Sequence, residues 1–203
     1  MNISAAGYSV TAQDCAMDEK SLSNTKRYLA QKGATFREVL TVTLPTGQEQ
    51  EVVVFSGSRS LVAQATTFDT IVVHENVFRS EKCKDYVMVH ETAHLRQWYS
   101  HWQFAAAVSI IPSVLVAIFT QNIVIGFVVF AALLFGFKWF IEFNADSQSI
   151  RTLGIETVRE AKADGKALFH PTILGHIFNR ITHPPISLTY LVMRALKLKL
   201  GSK

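Results

Sequence analysis

The chain has 203 residues, a formal net charge of +4, 18% charged residues and 49% hydrophobic ones. That length suits one domain with or without membrane spans, and so small a share of charge is unusual in a soluble domain. The mild positive excess, with no tract alternating basic and aromatic residues, makes no case for nucleic acid, and two distant cysteines, Cys15 and Cys83, make none for a disulfide framework.

The first 15 residues lack an apolar stretch behind basic residues and do not read as a secretory leader. The predicted elements begin with a short helix over residues 21–32, ending at Gly33. "REVLTVTL" and "QEQEVVVF" read as strands around the turn Pro45-Thr46-Gly47, and "TFDTIVVHENVF" as a further strand ending near His74. Ser80 is the candidate N-cap of a helix carrying Tyr86, Val87, His90 and His94.

From Phe104 to Phe137 no residue is charged. A helix crosses a bilayer core in roughly 20 residues, so this run is too long for one ordinary span. Its only polar cluster is Thr120-Gln121-Asn122. The run therefore reads as a helical hairpin, residues 102–119 and 123–140. Pro112 is a candidate kink, which membrane helices tolerate. Trp98, Tyr99, Trp102 and Trp139 look like interfacial aromatics. The tip has no Lys or Arg, whereas Arg96 and Lys138 flank the bases of the legs. The positive-inside rule then puts everything but the tip on the cytoplasmic side. A buried hairpin in a soluble protein is the alternative.

Beyond the hairpin, residues 142–153 continue the second leg, and residues 155–168 form another helix after Gly154. Residues 184–200 make an amphipathic helix whose Arg194, Lys197 and Lys199 suit a membrane surface or a solvated face. The expected fold is mainly α with a small β-sheet (α+β). It divides into an N-terminal part with the sheet (residues 1–101), the hairpin (102–140) and a helical C-terminal part (141–203).

"MVHETAHLRQW" contains His90-Glu91-x-x-His94. Residues four apart share one face of a helix, so both imidazoles can reach one ion. Zinc lowers the pKa of a bound water to about 7. Glu91 is placed to take that proton and pass it to a leaving amine. The alternative is two helix histidines, one of them packed or hydrogen-bonded. A catalytic zinc needs a third protein ligand. A single span would strand anything beyond it on the far side of the bilayer, whereas a hairpin returns the chain to its starting side. At the exit stands "WFIEFNADSQSI", with Glu142 as candidate ligand. Asp146, one turn on, is the candidate acceptor that sets a ligand histidine's tautomer.

The ordered set of H-E-x-x-H, two apolar helices, "EFNAD" and "ITHPPISL" resembles the membrane gluzincin metallopeptidases, the HtpX proteases and CAAX prenyl endopeptidases. The likeness runs over residues 52–196, and the chain looks like a minimal member with no span before the zinc helix. It implies a zincin-like core holding one Zn²⁺ per chain on His90, His94 and Glu142, with Glu91 as general base and Asp146 behind the ligands. His183 resembles a histidine that stabilises the oxyanion, with capping of the Pro184-Pro185 helix start as the alternative. The segment from "VVVF" onward resembles a substrate-binding edge strand, which implicates Val53, Phe55, Leu61 and Ala63. The family's arginine six residues after the histidine is Thr189 here, and neither Arg180 nor Arg194 has the matching spacing. Histidines 74, 101, 170 and 176 match no motif position and read as structural or surface residues. Cys83 reads as a buried small side chain.

The expected function is a membrane-bound zinc endopeptidase acting on polypeptides, membrane-associated ones above all, in membrane-protein quality control or processing. The rival is a catalytically idle metal-binding membrane scaffold.

Overall fold

The computed structural model describes residues 17–58, 61–97, 102–169 and 183–196. In chain order these form helix α1 (Glu19–Gln31), then strands β1 (Thr35–Thr43), β2 (Glu49–Ser56), β3 (Ala63–Ala65) and β4 (Ile71–His74). A 3₁₀ turn (Glu75–Arg79) leads into helices α2 (Glu81–Leu95), α3 (Trp102–Thr120), α4 (Ile123–Leu153), α5 (Ile155–Leu168) and α6 (Ile186–Ala195). The fold is mainly helical with one small mixed sheet, in agreement with the expected α+β class.

The strands lie in the order β1-β2-β4-β3. β1 and β2 are antiparallel, β2 and β4 parallel, and β3 and β4 antiparallel. Residues 52–55 are an unbroken apolar run because both faces of the sheet are covered. Val52 and Val54 join Ile71, Val73 and Met88 in a core against α2, while Val53 and Phe55 join Leu29 and Val72 in a core against α1.

This topology corrects the expected substrate edge. β2 is paired on both sides, so the backbone of Val53 and Phe55 has no open edge to offer. Both side chains are fully buried and face α1, away from α2. Leu61 packs, partly buried, on that same α1 side. Of the four residues, only Ala63 lies in an edge strand, β3, which packs beside α2.

α2 touches the sheet, α4 and α5. Ser80 starts it: its Oγ accepts from Cys83 N at 3.2 Å and donates to Asp164 Oδ2 of α5 at 2.5 Å. Cys83 is buried behind this cap, and His74 is buried with its Nδ1 accepting from Asn76 N in the 3₁₀ turn. Both therefore have structural roles.

α3 and α4 pack against each other across the short Gln121-Asn122 connection. Asn122 Oδ1 caps α4 by accepting from Val124 N and Ile125 N at 2.9 and 3.3 Å. Gly126 makes the close approach possible, since a Cβ there would lie 2.6 Å from Ala117 Cβ and 2.9 Å from Ser113 O. Ser109 and Ser113 are buried on α3, each with its hydroxyl donated to the carbonyl one turn back. The outer faces carry Ile111, Phe119, Ile123 and Phe127, all exposed. Among the described residues, α4 is the helix long and apolar enough to cross a membrane, and the apolar stretch of α3, Phe104–Thr120, is shorter.

α4 continues without a break past the apolar leg to Leu153. Gly154, with φ 83°, ends it, donating its N–H to Ile150 O, and turns the chain into α5. α6 is shorter than the expected amphipathic helix, and Lys197 and Lys199 lie outside the described residues. So do Cys15, Trp98, Tyr99, His101, His170, His176, Arg180 and the side chain of Trp102.

Candidate metal centre

His90 and His94 lie one turn apart on the stretch of α2 packed against α4. Their Nε2 atoms point at each other, 3.1 Å apart, with the rings at 83°. Glu142 comes from α4, two residues past the apolar leg. Its Oε2 lies 3.3 Å from His90 Nε2 and 3.4 Å from His94 Nε2. One donor atom from each of the three residues falls within 4.8 Å of the others.

Each of the three has a polar neighbour at its second polar atom, although His90 Nδ1 is not aligned to hydrogen-bond its own. His90 Nδ1 lies 3.2 Å from Asp146 Oδ1, and His94 Nδ1 lies 3.1 Å from Gln97 Oε1. A proton on His94 Nδ1 facing the Gln97 oxygen leaves the His94 Nε2 lone pair directed into the cluster. Glu142 Oε1 is held by Lys138 Nζ at 2.6 Å. Asp146, fully buried, is itself anchored by Tyr86 Oη at 2.9 Å and Lys162 Nζ at 3.1 Å.

The electrostatics follow from this crowding. Burial disfavours the Glu142 carboxylate, but the adjacent rings of His183, His90 and His94 outweigh it and hold its pKa far below the usual range. Burial likewise raises the pKa of Asp146, yet His90 and Lys162 bring it down to about 2. The His90 ring is disfavoured as a cation by burial, but the carboxylates of Asp146 and Glu142 raise its pKa to about 10.

The donor set fits a zinc ion. Two imidazole nitrogens and one carboxylate oxygen are the donors of a catalytic zinc with one position left open. Glu142 Oε2 is buried, and none of the nearby ring nitrogens is aligned to hydrogen-bond it. Lone pairs facing one another at 3.1–3.4 Å repel unless a cation or a proton lies among them. Metal binding at these atoms would displace the His90 proton and release it to solvent.

Glu91 points toward the sheet, where its Oε2 accepts from Ala65 N of the edge strand β3 at 2.7 Å. His183 Nε2 lies 3.0 Å from Glu142 Oε2. Pro185 is the N-cap residue of helix α6, two positions after His183. Thr189 is buried in α6 and Arg194 is exposed on it.

The structure thus brings His90, Glu91, His94, Glu142, Asp146 and His183 into one neighbourhood and leaves Val53 and Phe55 outside it. Sequence reasoning overlooked four contributors. Lys138, four residues before Glu142, and Gln97, three after His94, sit at helical spacings that could have exposed them. Lys162 and the Ala65 amide arrive through tertiary packing and have no local signal. No protein-family model matches the chain, and no curated protein or solved structure is detectably similar to it.

Proposed function

We propose that the chain is a membrane-bound, zinc-dependent endopeptidase. The observation that carries the reading is the convergence of His90, His94 and Glu142 donor atoms within 4.8 Å, with Glu91 in the intervening turn of α2. Zinc, when bound by these three residues, supplies a Lewis acid and an activated water for attack on a peptide carbonyl. Glu91 takes the proton of the attacking water on its carboxylate and delivers it to the leaving amine. An extended peptide adds along the edge strand β3, displacing Glu91 Oε2 from Ala65 N, which sets its scissile bond beside α2 and frees the Glu91 carboxylate. His183 Nε2 donates to the carbonyl oxygen as negative charge gathers there.

Two observations support the membrane part of the reading. The outer faces of α3 and α4 carry large apolar side chains in the open, and the inner contact uses small residues, as membrane helix pairs do. The return of Glu142 to α2 and the absence of basic residues at the tip support two spans with a cytoplasmic catalytic side. The motif resemblance extends the reading to membrane-protein quality control or processing of membrane-associated peptides.

The deciding experiment compares the full-length chain with Glu91→Gln in detergent, using casein as substrate and metal analysis of both proteins. Glu91→Gln should lose about 10²–10⁴-fold in cleavage rate with its zinc content unchanged. Equal cleavage by two zinc-loaded proteins would remove the peptidase reading and leave the metal-binding scaffold.

A further inference from the structure

We propose that Lys138 is a positioning residue that makes Glu142 a one-oxygen ligand. The inference rests on the metal-site reading above. Lys138, Glu142 and Asp146 stand at successive four-residue steps along one face of α4. Among the described residues, the Lys138 Nζ–Glu142 Oε1 contact, at 2.6 Å, is the shortest polar contact of this carboxylate, whose Oε2 faces the histidines at 3.0–3.4 Å.

The placement of Lys138 is itself unusual. It stands at the base of a leg that otherwise carries no charge, where a lysine ordinarily extends to the interface and keeps its ammonium in water. Here the side chain is 19% exposed and its ammonium meets a carboxylate that is 3% exposed. An ammonium drawn into so buried a place needs its partner. The same bond divides the carboxylate into a tethered oxygen and a presented one.

The division matters for coordination. A carboxylate can offer a metal one oxygen or two. Two would take the place that a catalytic zinc keeps open for water and substrate. Lys138 secures Oε1, so Glu142 adds one donor to the two imidazoles and the fourth position stays free. Lys162 has the corresponding task at Asp146, where it holds Oδ2 while Oδ1 faces His90. Each buried acid of α4 therefore has its own lysine.

The test uses the full-length protein in detergent, loaded with Co²⁺ in place of zinc, comparing wild type, Lys138→Met and Lys138→Arg. Wild type and Lys138→Arg should give the intense visible absorption of four-coordinate Co²⁺. Lys138→Met should bind Co²⁺ at least as tightly yet show the weaker spectrum of a higher coordination number, with casein cleavage lowered about 10–100-fold. A Lys138→Met protein with the wild-type spectrum overturns the proposal, and so does one that loses metal affinity without a spectral change. X-ray absorption of zinc-loaded wild type needs no variant: two carboxylate oxygens on the metal would overturn it as well. Failure of wild type to bind either metal would instead defeat the underlying metal-site reading.

Discussion

The two halves of α4 obey opposite rules. From Ile123 to Phe140 the helix is apolar and shows much of that surface to the outside: Ile123 is 82% exposed, Val124 66% and Phe127 69%. From Ile141 to Leu153 it is rich in polar groups and buries those that face the protein: Glu142 is 2% exposed, and Asp146 and Ser149 are fully buried. One uninterrupted helix thus turns its polarity inside out at about Phe140. Burial of acids is costly unless charges and hydrogen bonds meet them, and the second half has Lys138, Lys162, Tyr86 and His90 for that purpose. Exposure of isoleucine and phenylalanine is costly in water and favourable in lipid. The contrast teaches that the halves suit different surroundings, protein for one and, under the proposed membrane reading, hydrocarbon for the other.

The comparison can be broken from either side. The largest effect is expected from Glu142→Ala in the buried half. It removes one of the three proposed ligands and leaves Lys138 without this carboxylate, so zinc affinity should fall by more than the roughly 100-fold upper range of an outer partner's loss. Competition with a chromogenic chelator measures this, with circular dichroism reporting that the helices persist. Unchanged affinity would mean that the metal is held elsewhere.

On the exposed half, Phe127→Asp puts a charge on the outer face of the leg. In a bilayer this should cost about 2.5–3.5 kcal/mol of insertion free energy, read as a shift from the membrane to the soluble fraction. In a water-facing hairpin the same change would be neutral or would improve solubility, and that result would contradict the membrane reading. The smallest effect is expected at the seam between the legs. Gly126→Ala places a methyl where Ala117 Cβ and Ser113 O already stand, and it should destabilise the hairpin by about 1–3 kcal/mol. Thermal unfolding in detergent checks it, and an unchanged midpoint would show that the legs do not meet at this glycine.

Much of this organisation was legible in the sequence because its signals are local. Ser80 sits one residue before α2, Gly154 marks the break between α4 and α5, and Thr120-Gln121-Asn122 interrupts an uncharged run. Glu142 was legible for a topological reason, since a hairpin must bring its exit back to its entrance. The strand order was not legible, because pairing partners are chosen across space. The "VVVF" run did contain a clue that its reading as an edge strand overlooked. Four consecutive apolar residues have no polar face to show solvent, which suits an interior strand covered on both sides. β3, only three residues long, was missed for want of enough pattern to distinguish it from loop. Lys162 was invisible because it depends on how Gly154 aims α5.

The continuity of α4 has a mechanical consequence. At 1.5 Å per residue its 31 residues form a rod of about 46 Å. Glu142 is fixed to that rod, whereas His90 and His94 belong to α2, which packs on the sheet and α5 as well as on α4. In the bilayer proposed for this chain, a thinner or thicker hydrocarbon layer is accommodated partly by helix tilt. Tilt of α4 moves the carboxylate relative to the imidazoles, which makes lipid thickness a variable of the metal site's geometry.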